Sequence, residues 1–293
     1  MTTGRRNVIK LFLGTLGGLV VNTTAQNKAR GAEDKKHADK NRLVRQETET
    51  FSVAGVPRVR VETFDGVIMI HAWDRPEVKF VATKEARDEE EMRGVSVTAE
   101  QRGEEVLINA AFDKAFKREI IVNGSPRLNY TALVALEVYI PRRAALYALT
   151  GDGNLTVEEF AGEAELIARD GIIEVKRGKG SLRAHAEDGE IRVNNFDGEA
   201  DLRSDDGGIK LGGRFQELSA HTAKGDITLA LPAGFNTVIE TNARNFYNID
   251  GLAVAQEGGD AQAQTRRWKI GSGGNSVLKL ATGRGQVSLR RVR

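Results

Sequence analysis

Four histidines are the side chains best suited to moving protons near neutral pH: His37, His71, His185 and His221. They are scattered, and no His-Glu-x-x-His stretch places two imidazoles on one helical face for zinc. The chain has no cysteine, which removes disulfides, thiolate metal ligands, a cysteine nucleophile and a lipid-modified cysteine anchor. Asp152, Asp170, Asp188 and Asp206 recur every eighteen residues, each before a glycine. Carboxylates are hard ligands that suit calcium, but the calcium-binding nonapeptide needs Gly-Gly-x-Gly-x-Asp, which never occurs here in full. Turn-forming Asp followed by glycine explains the same residues. Gly151-Asp152-Gly153 and Gly178-Lys179-Gly180-Ser181 have glycines like those of phosphate loops, but neither has the full motif or a following helix. There is no Gly-x-Ser-x-Gly elbow. Trp73, Trp268, Tyr130, Tyr139, Tyr147 and Tyr247 are the aromatics available to stack on a sugar. No residue is therefore assigned a catalytic, cofactor-binding or metal-binding role, and no cofactor is expected.

These residues sit on a repeat. Glycines stand at 153, 162, 171, 180, 189, 198, 207 and 225, a nine-residue spacing broken only at Gln216. Two and four residues after each comes an apolar residue, with polar ones between, as in Ile191-Arg192-Val193. This is the period-two pattern of short half-buried strands. An eighteen-residue period lies over the nine. Strands after the Asp-Gly turns carry Leu155/Val157, Ile173/Val175, Ile191/Val193 and Ile209/Leu211, and Ile227/Leu229 follows Lys224-Gly225. The intervening strands carry one Ala and one Leu in alternating order: Ala164/Leu166, Leu182/Ala184, Ala200/Leu202, Leu218/Ala220. Such alternation compensates volume between neighbouring layers.

The fold class is all-β. The eighteen-residue period predicts a β-solenoid or β-helix-like repeat, each coil giving two strands. An antiparallel meander of nine-residue strands is the alternative, since Asp-Gly between apolar runs is a strong hairpin signal. Phe196-Asp197 is a poor hairpin turn, because a bulky aromatic would need positive φ. On coils stacked at strand spacing, His185 and His221 would stand about 9–10 Å apart, too far to share a zinc ion.

Four segments follow. Residues 1–25 read as a signal peptide, with a basic start through Arg5, Arg6 and Lys10, an apolar run from Leu11 to Val21, and Thr23 and Ala25 before the cleavage point. The Arg5–Lys10 stretch resembles a twin-arginine signal. The apolar run spans about 16 Å as a helix, roughly half a bilayer core, so no stable membrane anchor is expected after cleavage. Residues 26–48 read as a flexible charged tether. Residues 49–143 are β-rich but irregular, with a charged connector or short helix from Lys84 to Arg93. Residues 144–293 are the Gly-punctuated repeat. Removing the first 25 residues takes away three of the 43 basic residues and leaves 40 against 41 acidic ones. That balance argues against a nucleic-acid partner. The basic end (Arg284, Arg290, Arg291, Arg293) reads as a solvated terminus.

Three parts of the chain carry a resemblance. They are Phe51-Ser52-Val53-Ala54-Gly55 with Val61-Glu62-Thr63-Phe64-Asp65-Gly66 and Trp73-Asp74, the repeats from 147 to 231, and the segment 276–289. With these the chain resembles the DUF4097 family of candidate bacterial adhesins, departing in having many Asp-Gly rather than Gly-Asp turns. The resemblance implies an exported all-β repeat and brings no catalytic residues. The expected function is a non-enzymatic adhesin-like binding module or cell-envelope scaffold, in the periplasm or at the cell surface. Its partner would be an envelope protein or polysaccharide. A periplasmic sensory partner and a β-helical carbohydrate enzyme are the alternatives.

Overall fold

The computed structural model describes residues 42–122, 125–260, 264–274 and 276–292. The predicted signal peptide and most of the predicted tether lie outside them. The chain is all-β, and one sheet of 21 strands holds nearly every element. A two-stranded pair, Arg118–Val122 with Ser125–Asn129, and a six-residue helix, Glu89–Gly94, stand beside it.

The repeat builds this sheet by a constant step. Leu155 pairs with Ile173, Ile173 with Ile191, Ile191 with Ile209 and Ile209 with Ile227, all in parallel strands and eighteen residues apart. The hairpin reading requires antiparallel neighbours nine residues apart, and these strands are not so paired. Short strands (Leu155–Glu158, Ile173–Lys176) and long strands (Ala161–Asp170, Lys179–Asp188) form two faces. Ile191–Ser204 and Ile209–Thr222 run fourteen residues and serve both faces. Inward side chains from both faces form one core, with Leu155, Ile173, Leu166 and Leu202 fully buried. The volume alternation lies in register: Ala164, Leu182, Ala200 and Leu218 form one row, and Leu166, Ala184, Leu202 and Ala220 the next.

The turns explain the glycines. A Cβ built at Gly189 would lie 1.8 Å from the carbonyl oxygen of Gly171, and one at Gly198 would lie 1.9 Å from that of Gly180. Each eighteen-residue repeat therefore rests its turn on the backbone of the repeat before, a contact only glycine permits. Buried hydroxyls cap several of these turns. Thr150 Oγ1 donates to the Gly66 carbonyl (3.1 Å), Ser204 Oγ to Gly189 (2.9 Å) and Thr222 Oγ1 to Gly207 (2.7 Å). At the opposite corner Asn195, at φ 56°, takes the left-handed conformation and Phe196 turns inward, 2% exposed. Gly178 leaves room for that ring, since a Cβ there would sit 2.7 Å from it.

The first ninety residues of the described chain continue both faces. Arg58–Asp65 pairs in parallel with Arg143–Asp152, and Ile68–Trp73 with Leu155–Glu158. Glu105–Phe112 and Leu133–Pro141 add to these in parallel, and the outermost pairings are antiparallel: Glu77–Ala86 on Leu133–Pro141, Leu43–Ser52 on Glu77–Ala86, and Val95–Arg102 on Glu105–Phe112. Residues 43–48, expected in the tether, are thus an edge strand. Their side chains are almost all exposed, so no apolar period marks them. The other end closes with Thr237–Thr241, Thr265–Ile270 and Val254–Asp260, also antiparallel. No helix among the described residues is long and apolar enough to cross a membrane.

Candidate functional site

The outer side of the long-strand face is formed by the residues left over from core packing. Each long strand gives alternate side chains to solvent, and parallel stacking puts equivalent ones in rows. One row runs Arg60, Tyr147, Glu165, Arg183, Asp201, Ser219. The next runs Glu62, Leu149, Ile167, His185, Arg203, His221. Two adjoining shallow concavities of about 380 and 410 Å³ lie along these rows and share Glu165 and Arg183. The Arg60 guanidinium lies 4.1 Å from the centre of the Tyr147 ring, a cation–π contact that holds the ring against the sheet. His185 Nε2 is 3.3 Å from Asp205 Oδ2, and Arg203 Nε donates to the same carboxylate at 3.1 Å. Those hydrogen bonds, from Arg203 first and His185 second, hold Asp205 below its usual pKa. His185 and His221 flank Arg203 in one row, as the spacing requires. Acid and base alternate along the Glu165–Arg183–Asp201 row, which suits holding an extended polar ligand.

The short-strand face carries a second cluster. His71 lies between two carboxylates, Nε2 3.7 Å from Glu137 and Nδ1 3.6 Å from Glu158. Its ring is 5.3 Å from Tyr139, which is 5.1 Å from Trp73. The Trp73 indole donates to the Glu77 carbonyl at 2.8 Å, fixing the ring. Glu137 accepts from the Tyr139 hydroxyl, which raises the phenol pKa. Lys176 bridges Glu158 (3.3 Å) and Glu174 (3.0 Å), so this face is a chain of mutually neutralising groups.

The aspartates do form a ladder, and it gains Asp65, which the repeat did not predict. Asp65, Asp152, Asp170 and Asp188 pair in register, while Asp206 holds Lys224 at 2.8 Å. Burial, then repulsion from Asp152, pushes the Asp65 carboxyl up to about 6 against a hydrogen bond from Gly66. Beside it Phe64, Phe112 and Tyr130 pack together, and burial followed by the nearby aspartates raises the Tyr130 pKa. No group of three or more metal-ligating side chains among the described residues is arranged to hold an ion.

Gly178-Lys179-Gly180-Ser181 is a corner leading into a long strand, and Gly151-Asp152-Gly153 is a turn resting on the Gly66 carbonyl. Of the other aromatics, Trp268 stacks on Phe246 at 4.6 Å and Tyr247 is exposed. His37 and Arg293 lie outside the described residues. Arg290 and Arg291 end the strand Gln286–Arg291 and border a third concavity of about 830 Å³. Arg60, Glu165, Arg183 and Arg203 were not singled out in the sequence, because only the eighteen-residue register puts them in rows. The outward slots of each repeat unit were the available signal.

No protein-family model and no curated protein matches the chain. Solved structures with some likeness include a candidate cell adhesion protein from Clostridium sporogenes, with TM-score 0.36 and 10% identity, covering 85% of this chain and 100% of that one. A candidate adhesin from Bacteroides fragilis gives 0.34 and 10%, covering 85% and 97%. A candidate lipid-binding protein from Parabacteroides distasonis gives 0.31 and 11%, with the same coverage.

Proposed function

We propose that the chain is an exported, non-catalytic β-solenoid of the DUF4097 type that holds its ligand along the long-strand face, as an adhesin-like module or envelope scaffold. The observation that carries this reading is the groove of in-register Arg60, Tyr147, Glu165, Arg183 and Asp201 on parallel, hydrogen-bonded strands. A row of alternating charges with one aromatic ring offers many weak polar contacts at fixed spacing, which suits an extended envelope polymer or a partner protein. The parallel eighteen-residue step supports the solenoid class. Alternation of acid and base, with Arg183 between Glu165 and Asp201, favours binding over hydrolysis, which needs a carboxylate pair free to exchange protons.

Intact cells treated with protease and blotted for the mature protein test the location. Loss of the protein from intact cells is the expected outcome for an adhesin, and survival until the outer layer is permeabilised favours a periplasmic scaffold. Recovery solely from the cytosol sinks the export reading.

A further inference from the structure

The outer surface of the short-strand face changes character past Lys176. Up to there the in-register slots hold Tyr139, His71, Glu158 and Lys176, all large. The next strands carry Asn194, then Gly212 and Ala230, which pair with each other. The surface sinks where the side chains shrink. The adjacent corner is also irregular. Glu159, Arg177 and Asn195 turn it at φ 59°, 56° and 56° in successive coils, but the strand Ile209–Thr222 reaches it one residue early. Val193 pairs with Leu211 and Phe196 with Gly213, so two asparagines stand opposite Gly212 alone. The register is restored between Gly198 and Glu199, where Gln216 is the extra residue on the facing strand.

The result is the concavity of about 830 Å³, floored by Gly212 and Ala230 and walled by Phe196 and Pro232. Arg214, Arg290 and Arg291 border it, and their guanidinium groups have no ion pair or hydrogen bond among the described residues. Elsewhere on this face the cations are matched: Arg177 holds Glu159, and Arg192 and Lys210 both hold Glu190. The two carboxylates at the rim are already engaged. Asp250 accepts the Arg291 backbone N–H at 2.8 Å and Asp197 accepts from Gln216 at 3.2 Å.

We propose that this concavity binds an acidic saccharide, one bearing carboxylate or sulfate groups. Guanidinium forks match planar carboxylates and sulfates in pairs, and three around one hollow suit a ligand with more than one anionic group. The volume lies in the range of oligosaccharide-sized sites and far exceeds one inorganic anion. Asn194 and Asn195 supply the amide donors and acceptors that sugar hydroxyls need. The proposal rests on reading the chain as a binding module but uses a different surface from the long-strand groove.

Isothermal titration of the purified protein with trigalacturonate, maltotriose and tripolyphosphate tests it. Trigalacturonate should bind, more weakly as salt rises, and maltotriose should not. The Arg214→Gln/Arg290→Gln double variant should lose at least tenfold in affinity. Ala230→Phe, which fills the hollow and keeps every charge, should lose as much; Arg102→Gln, which lines none of the three concavities, should change nothing, and Arg183→Gln reports any binding in the long-strand groove. The arginines are exposed and Ala230 is half-buried, and an unchanged thermal midpoint verifies folding of each variant. Absence of trigalacturonate binding overturns the proposal, as does undiminished binding in both concavity variants. Tripolyphosphate binding as tightly, with the same sensitivity, overturns the saccharide assignment. Loss confined to Arg183→Gln moves the ligand to the long-strand groove, overturning this site and supporting that reading. Cell-surface location is measured separately, so its failure is distinguishable.

Discussion

Asp65 is half-buried at the head of the aspartate ladder, next in register to Asp152 and beside the rings of Phe64 and Tyr130. Its carboxyl titrates near 6 in the folded chain against an ordinary 3.8, so between those values the folded state binds more protons than the unfolded one. Stability contributed by this group therefore falls as pH rises from about 4 to about 6. Asn at this position keeps an oxygen for the Gly66 N–H and carries no charge. Asp65→Asn is expected to stabilise the protein at pH 7.5 by about 1 kcal/mol, well short of the full linkage energy because the carboxyl remains partly solvated. At pH 3.5 the variant and the parent should unfold alike. Urea midpoints at the two pH values check this, and a variant weaker than the parent at pH 7.5 would show that the carboxylate is stabilising.

At the level of the strand and its turns, the glycine column sets the spacing of the coils. Gly189→Ala places a methyl group 1.8 Å from the Gly171 carbonyl oxygen, so the turn must open and its neighbours shift. A loss of about 2–4 kcal/mol is expected. Gly212→Ala meets nothing closer than 3.4 Å and should cost under about 1 kcal/mol. Equal urea midpoints for the two variants would contradict the close-approach account. This column was legible in the sequence, since a steric demand repeated at every coil leaves one residue type at a fixed period. So was the alternation of Ala and Leu, which records volume directly. Most of the edge strand Leu43–Ser52 was not legible, because between Leu43 and Phe51 every side chain is exposed and no apolar period results. The strands Thr237–Thr241 and Thr265–Ile270 were hidden too, for they end the repeat and obey pairing partners specific to that end. The long-strand groove was half legible: its residues occupy predicted outward slots, but which of them meet depends on the register between coils. The concavity at Arg214 was signalled only as a missing glycine at Gln216, and a broken period does not say which way the surface bends.

Between Leu155 and Ser204 each repeat strand pairs with the strands eighteen residues before and after it, so length and register can be altered separately. Excising residues 173–190 removes one coil and keeps the eighteen-residue step. It also sets Ala164 beside Ala200 and Leu166 beside Leu202, leaving a void in one row and an excess in the next. Phe160 then faces Phe196 without the space that Gly178 provides between them. Excising 173–208 removes two coils and restores every match, with Ala164 beside Leu218 and Leu166 beside Ala220. The larger deletion is therefore expected to be the more stable, by about 2–5 kcal/mol, the usual range for voids and overpacking in a core. It should unfold in one cooperative transition, and the single-coil deletion at lower urea and less cooperatively. If the single-coil deletion proves as stable as the two-coil one, the interior tolerates mismatched rows. The alternation of Ala and Leu would then have no packing role, and stacking of the turns alone would hold the coils in register.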